Sequence, residues 1–205
     1  MGTILVVSTS YDRATRVSHR WANNFVGKLN KLGFNTAKLF GSKVDVVSLR
    51  TQIRSADVLV FFGHGEPDRF IGQRGWLSIG AGPTLIDVTT VTVIGHVKVY
   101  AVCCQASLLL GRAYSAIAPQ GAFLGYAAPF GASYPNAKYF EETVTAGGLD
   151  FISGTKSPQV VQVDLREAWK DLSDQFFNGA LSHRPDAFPA GFAAAANSTF
   201  VTISP

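Results

Sequence analysis

Four stretches of the chain are continuously apolar, and they constrain its fold more than any other feature. They span residues 3–8 (TILVVS), 57–62 (DVLVFF), 97–103 (VKVYAVC) and 121–127 (GAFLGYA). Strands with one face in water alternate apolar and polar residues, whereas continuous runs are typical of strands covered on both faces. Parallel strands also need a crossover connection, usually a helix, between them. We therefore expect a parallel sheet covered by helices.

The intervals between the apolar runs supply those helices. The clearest is residues 13–32, which carries apolar side chains on one helix face and arginine and lysine on the other, with a glycine directly after it. Its apolar positions are Val17, Trp21, Phe25, Leu29 and Leu32. We predict further helices over 45–54, 106–117, 136–147 and 160–178, and further strands over 34–40 and 198–204.

Alternation of this kind predicts an α/β fold, a three-layer α/β/α sandwich around a mostly parallel sheet of about six strands. Segment 70–96 fits the alternation less well, because it has glycine and proline turns around WLSIG and TLIDVTTVTV. We interpret it as a β-hairpin or small extension where the preceding strand ends. The only compositionally biased tract is FPAGFAAAANS, residues 188–198, before the last strand.

Length and composition favour one folded domain over residues 1–205. A chain of 205 residues can bury a substantial core, but a second independent domain would be cramped. Hydrophobic residues make up 47% and charged residues 16%, a balance that excludes a disordered chain. The net charge of +4 comes from scattered lysine and arginine, with neither a groove-reading motif nor stacking aromatics beside them, so we do not expect a nucleic-acid partner.

The first residues and the cysteines bear on the compartment. MGTILVVSTS has no basic region before its short apolar run, so it is predicted to be a strand and not a signal peptide. No apolar run approaches the roughly 20 residues that span a bilayer, so we do not expect a membrane partner. The only two cysteines are adjacent, and a bridge between neighbours would strain the backbone. A reducing cytoplasm is the expected location.

Two of the apolar runs end on reactive side chains. His64 follows the run 57–62, and Cys104 follows the run 97–103. The carboxyl ends of parallel strands lie on the edge of the sheet where ligands bind, so neighbouring strands would bring the two side chains together. An imidazole beside a thiol can remove its proton and create a nucleophile. Glycines flank His64 and would let the backbone pass close to a substrate, and the amides of Gly65 and Cys104 would form an oxyanion hole.

These residues resemble those of the caspase-like, or clan CD, cysteine peptidases. FFGHGE is similar to the family's strand ending in His-Gly, and VYAVCCQAS is similar to its strand ending in a small residue and the catalytic cysteine. The 40-residue spacing is also similar, and the resemblance covers roughly residues 1–130. It implies that His64 is the proton-transfer partner, Cys104 the nucleophile and Cys103 the small buried residue. The family's dyad needs no third carboxylate, so none is assigned.

The resemblance leaves the preference for the residue before the cleaved bond, P1, open. Metacaspases hold a basic P1 side chain with an acidic residue two positions before the nucleophile, and here that position is Val102. Caspases hold aspartate with an arginine after the first strand, and here the segment STSYDRATR offers Arg13 and Arg16 but also Asp12. We keep Arg16, Asp12 and Val102 as candidate substrate-binding residues. The loop APFGASYP, residues 128–135, is expected to form another wall of the pocket.

The expected function is therefore that of a cysteine endopeptidase acting on a protein or peptide. Family members often need an activating ligand, a partner protein or dimerisation, and bacterial relatives often act in defence or programmed death. The alternative is a catalytically silent caspase-like domain that binds or senses. The sequence HGE matches half of a zinc deaminase signature, but adjacent cysteines cannot both reach one tetrahedral ion, and no metal or other cofactor is predicted.

Overall fold

The computed structural model describes residues 2–74, 82–119 and 121–204. The strands are β1 Thr3–Ser8, β2 Asn35–Phe40, β3 Val58–Phe62, β4 Gly65–Glu66, β5 Arg69–Ile71, β6 Thr84–Asp87, β7 Lys98–Val102, β8 Phe123–Tyr126 and β9 Val201–Ser204. The helices are α1 Arg13–Lys31, α2 Val46–Ile53, α3 Leu110–Ile117, α4 Ala137–Ser153, α5 Pro158–Phe177 and α6 Ala187–Phe200.

The main sheet has six strands in the order β2-β1-β3-β7-β8-β9. The first five run parallel to one another, and β9 pairs antiparallel with β8. This confirms the predicted α/β class with a mostly parallel sheet of six strands. The two strands that end on His64 and Cys104 are neighbours, because β3 pairs directly with β7, so the condition for bringing the two side chains to one edge is met.

Side chains alternate between the two faces of the sheet, and helices cover both. On β3, Val58, Val60 and Phe62 enter a core formed with α1, α4, α5 and α6, which we call the α1 face. Leu59 and Phe61 enter a second core, formed with α2 and α3, which we call the α3 face. Because both faces are buried, every residue of β3 must be apolar, which explains the continuous run in the sequence.

The first helix is fixed at both ends by its own sequence. Asp12 caps it with a reciprocal pair of hydrogen bonds to Thr15, which satisfies backbone donors of the first turn. Gly33, at a φ of 82°, lets the chain turn into β2 directly after the helix. The helix buries Trp21 and Phe25 against the sheet, so its amino end is held at the carboxyl edge of β1.

Some predicted boundaries were wrong, and one helix was missed. The helix predicted from residue 106 begins only at Leu110, because residues 103–109 form turns, with Gln105 at a φ of 56°. The helix predicted over 136–147 continues to Ser153. The strand predicted over 198–204 begins at Val201, because the small-residue tract before it forms α6.

Segment 70–96 forms part of a small extension, as predicted, but that extension starts earlier. Strands β4, β5 and β6 make a three-stranded antiparallel sheet whose first strand begins at Gly65, directly after His64. The predicted turn around WLSIG lies within residues 75–81, outside the described residues. None of the described helices is both long enough and apolar enough to cross a membrane.

Candidate active site

His64 and Cys104 lie side by side at the carboxyl edge of the main sheet. Phe62 at the end of β3 is in register with Val102 at the end of β7. Each of the two reactive residues comes two positions after that pair, and side chains two positions apart point to the same face of a sheet. Both therefore belong to the α1 face, and both line one cavity of about 150 Å³.

The two adjacent cysteines have different surroundings. Cys103 is only 2% exposed and lies in the core of the α3 face, whereas Cys104 is half-buried and lines the cavity. Burial raises the pKa of the Cys103 thiol well above its ordinary value. Cys103 also contributes to the lining of this cavity, but it is almost completely buried, so Cys104 is the more exposed of the two thiols there.

The surroundings of Cys104 favour the protonated thiol over the thiolate. Burial raises the pKa of the thiol, and a hydrogen bond that Phe130 N–H donates to Sγ at 3.3 Å opposes the rise only in part. No hydrogen bond joins the Cys104 thiol to the His64 ring within the part of the chain that the structure describes. The two groups share a cavity without forming a thiolate-imidazolium pair.

His64 is held by Asp12, across the edge between β1 and β3. His64 Nε2 and Asp12 Oδ2 are 2.6 Å apart, and the two side chains are 36% and 41% exposed. Burial alone would raise the pKa of Asp12, but hydrogen bonds from the Thr15 backbone, from His64 and from the Thr15 side chain outweigh it, and the pKa is lowered. An ionised carboxylate can only accept, so Nε2–H donates and Nδ1 of the neutral ring is free to take a proton.

This contact gives Asp12 a partner that the sequence analysis did not assign, and its role in substrate binding stays a prediction. Asp12 was kept as a substrate-binding candidate, and no carboxylate was assigned to the histidine. The structure instead places both oxygens of Asp12 in hydrogen bonds within the chain, one to Thr15 and one to His64. The contact depends on the strand order, because Asp12 follows β1 and β1 pairs with β3, the strand that ends on His64.

Gly65 lies against the end of β7, which is why a glycine is needed there. A Cβ at this position would be 2.5 Å from the carbonyl oxygen of Cys104 and 2.7 Å from Sγ of Cys103. The missing Cβ at Gly65 therefore allows close packing within the chain, and the prediction that the backbone here passes close to a substrate stays a prediction. Ile71 N–H donates to the His64 carbonyl at 3.0 Å. In an antiparallel pair of strands, residues alternate between those that bond to the partner strand and those that do not. Gly65, opposite Phe70, is a residue of the second kind, so its amide points away from β5.

The amide of Cys104 is also unengaged. Among the described residues no acceptor is found for it, although Gln105 N–H, the next amide along the chain, donates to the Ala128 carbonyl at 3.1 Å. The amides of Gly65 and Cys104 are therefore donors for which the described residues provide no acceptor. This agrees with their assignment as oxyanion donors and leaves the assignment a prediction.

The other predicted substrate-binding residues separate into two groups. Val102 lines the cavity with Cys104. Arg16 does not, and lies instead in a neighbouring groove with Arg13 and Arg20. The guanidinium of Arg13 stacks over the Tyr134 ring, 4.2 Å from its centroid. His19 of α1 is half-buried, with Nδ1 3.2 Å from Ser8 Oγ and its ring edge-on to Phe40 of β2.

The loop after β8 forms the outer wall of the cavity, as predicted for residues 128–135. Phe130, Ala132 and Tyr134 line the cavity from this loop. Its anchor, Asn197 of α6, was not predicted: the buried side-chain amide of Asn197 accepts from Gly131 N–H at 3.0 Å and donates to Gly131 C=O at 2.8 Å. This pair of bonds fixes the position of the loop above the thiol.

Within the described residues, no group of three or more histidine, cysteine, aspartate or glutamate side chains is placed to hold a metal ion. Two comparisons with known proteins add no homologue. No family model matches the chain, and no curated protein matches it at a significant level. The arrangement of His64, Asp12 and Cys104 around the cavity is therefore the basis for inferring a function.

Proposed function

We propose that the protein is a caspase-like cysteine endopeptidase that hydrolyses peptide bonds with Cys104 as nucleophile and His64 as proton carrier. The observation that carries the proposal is the placement of these two residues at the carboxyl ends of adjacent parallel strands, on one face and in one cavity. Asp12 adds support, because a carboxylate on Nε2 selects the histidine tautomer that can act as a base through Nδ1.

In the proposed first step, His64 Nδ1 takes the proton from the Cys104 thiol. The thiolate attacks the carbonyl carbon of the substrate, and the developing oxyanion accepts hydrogen bonds from the amides of Gly65 and Cys104. Asp12 stabilises the imidazolium that forms. The imidazolium then donates its proton to the amide nitrogen of the substrate, the C–N bond breaks, and the amine leaves while the acyl group stays on sulfur.

The second step releases the acyl group. His64 Nδ1, neutral again, takes a proton from a water molecule, and the oxygen of that water attacks the thioester carbonyl. The same two amides bind the second oxyanion. When the intermediate collapses, the C–S bond breaks, the acid product leaves, and the sulfur takes back the proton that His64 holds. The net reaction consumes one water molecule for each bond cleaved.

The free protein requires activation under this proposal. Burial raises the pKa of the Cys104 thiol, and among the described residues no hydrogen bond joins it to His64, so catalysis needs a rearrangement that brings sulfur and Nδ1 together. An activating ligand, a partner protein or dimerisation would supply it. The same observation favours the second candidate function, a binding or sensor domain whose dyad never assembles.

The test compares the wild type with Cys104→Ala and Cys103→Ala, which remove the two adjacent thiols separately. Each protein is incubated with a denatured and refolded cell lysate, and new peptide N-termini are mapped by mass spectrometry. We expect cleavages with the wild type, none with Cys104→Ala, and rates within about tenfold of wild type with Cys103→Ala, whose thiol lies outside the chemistry.

The controls decide between the candidate functions. Equal loss of activity in both variants, or loss in Cys103→Ala alone, would overturn the assignment of the nucleophile. If the wild type stays inactive after addition of candidate activators and at dimer-forming concentrations, the binding or sensor function is favoured. Thermal unfolding of all three proteins shows whether any loss of activity reflects loss of the fold.

A further inference from the structure

We propose that the cavity beside Cys104 takes a neutral, apolar P1 side chain of about the size of a benzene ring, such as that of phenylalanine, leucine or methionine. This inference deepens the proposed function and rests on it. It departs from both specificities that the sequence left open, a basic side chain held by Asp12 and an acidic one held by Arg16.

The first argument is size. The cavity has a volume of about 150 Å³. A cavity of about this volume with apolar walls stays dry and holds benzene. A P1 side chain of six or so heavy atoms would therefore fill the space, whereas glycine or alanine would leave most of it empty and forgo the packing contacts that apolar burial supplies.

The second argument is the chemistry of the walls. Val17 and Trp21 of α1 form one wall, Val102 forms another, and Phe130 of the loop after β8 forms a third. Trp21 and Phe130 meet edge to face, with ring centroids 6.4 Å apart. In the part of the chain that the structure describes, no aspartate, glutamate, lysine or arginine lines the cavity.

The third argument is that the nearby charges are engaged elsewhere. Asp12 places one carboxylate oxygen on Thr15 and the other on His64. The Arg13 guanidinium covers the outer surface of Tyr134, and Arg16 lines the neighbouring groove on that side. A charged P1 side chain entering the cavity would lose its water and find no opposite charge, which is unfavourable.

The experiment measures how fast peptidyl acyloxymethyl ketones label Cys104. In this reaction the thiolate attacks the methylene carbon, a thioether bond forms and a carboxylate leaves. Four probes share one peptide sequence and differ only at P1, which is phenylalanine, leucine, aspartate or arginine. Iodoacetamide, which has no peptide, reports whether the thiol is accessible. Mass spectrometry of the intact protein and of the Cys104 peptide gives the rates.

We expect the phenylalanine and leucine probes to react at least about 100-fold faster than the aspartate and arginine probes, because the charged side chains are desolvated without a partner. Equal rates, or faster reaction of a charged probe, would overturn the apolar specificity while leaving the peptidase proposal intact. The probes are added under the activating condition in which the lysate test shows cleavage. If iodoacetamide labels Cys104 there and none of the four peptide probes does, the proposed function fails and the specificity with it.

A charge substitution at the cavity rim provides a second test. Ala132 lines the cavity from an exposed position of the loop, so Ala132→Asp adds a carboxylate without disturbing the core. We expect the arginine probe to label Cys104 about tenfold faster than in the wild type, and the phenylalanine probe about tenfold more slowly. Ala116→Asp, at an exposed position of α3 on the other side of the sheet, is the matched control and should change neither rate. An unchanged preference in Ala132→Asp would show that the side chain binds elsewhere.

Discussion

Replacing Asp12 with asparagine tests how the His64 ring is controlled, because the change preserves the helix cap and alters one hydrogen bond. Asp12 Oδ1 accepts from both the backbone N–H and the side-chain hydroxyl of Thr15, each at 2.8 Å. In Asp12→Asn the carbonyl oxygen of the new side chain must face Thr15, because an amide NH₂ facing the Thr15 N–H would place two donors together. The NH₂ group then faces His64.

The direction of that hydrogen bond determines the effect on catalysis. Facing an NH₂ donor, His64 Nε2 has to accept, so in the neutral ring the proton moves to Nδ1. Nδ1 can then no longer take the thiol proton, and we expect the rate of peptide hydrolysis to fall by about 100-fold to 10,000-fold, the usual range for loss of a general base. The free energy of unfolding should change by less than about 1 kcal/mol, because asparagine caps helices as well as aspartate and the lost ion pair is partly exposed.

Two measurements test this reasoning independently. Nitrogen NMR of the imidazole ring reports which nitrogen carries the proton, and it needs no substrate or activator. Peptide hydrolysis or probe labelling of Cys104 reports the catalytic loss. Asp45→Asn is the matched control, because Asp45 caps α2 by accepting from Ser48 N–H at 2.9 Å but has no histidine partner. A ring that keeps its proton on Nε2 in Asp12→Asn, or full activity with Nδ1 protonated, would refute the argument.

Three further predictions concern the thiol and its surroundings. Alkylation of Cys104 by iodoacetamide should rise with pH around a midpoint above the ordinary cysteine value of about 8.5, because burial raises its pKa; a midpoint below that value would mean that the thiol is already activated. Gly65→Ala should destabilise the fold by about 1–3 kcal/mol in urea unfolding and abolish labelling by peptide probes, because its Cβ would collide with the end of β7. Gly27→Ala, on an exposed turn of α1 with no atom in the way, is its control and should instead stabilise the fold by about 1 kcal/mol. Asn197→Leu should cost about 1–3 kcal/mol, because it leaves both polar groups of Gly131 without their partner, and should slow probe labelling; unchanged labelling would show that the loop holds its position without the anchor.

The six strands and the placement of His64 and Cys104 at one edge of the sheet could be predicted from the sequence, because each depends on a local pattern and a general rule. That their two strands are neighbours is shown only by the structure. Burial on both faces requires continuous apolar runs, and those runs mark the strands. The carboxyl ends of adjacent parallel strands share an edge, so the residue after each run lies at that edge. Side chains alternate along β7, so the two cysteines point to opposite faces of the sheet. Cys103 shares its face with the buried Val99 and Ala101 and therefore lies in the core.

The partner of His64 and the last helix depend on information that local patterns lack. Asp12 reaches His64 only because β1 lies beside β3, and strand order is a property of the whole sheet. Helix α6 has no apolar stripe to detect, because its buried face consists of small residues such as Ala190 and Ala194, while Phe188 and Phe192 are 66% and 57% exposed. The apolar character of the cavity could not be predicted from local patterns either, because its walls come from segments far apart in the chain.

The anchor between Asn197 and Gly131 has a consequence for the order in which the protein is completed during synthesis. Asn197 follows Cys104 by 93 positions. At a translation rate of about 5–20 residues per second, the ribosome adds it roughly 5–20 s after the cysteine. Until then the loop that carries the Phe130 amide has no fixed place above the thiol, so a nascent chain can form most of the sheet while its cavity still lacks a wall. The complete pocket appears only after residue 197 has been added, so any activity of the cavity is delayed until its loop is anchored.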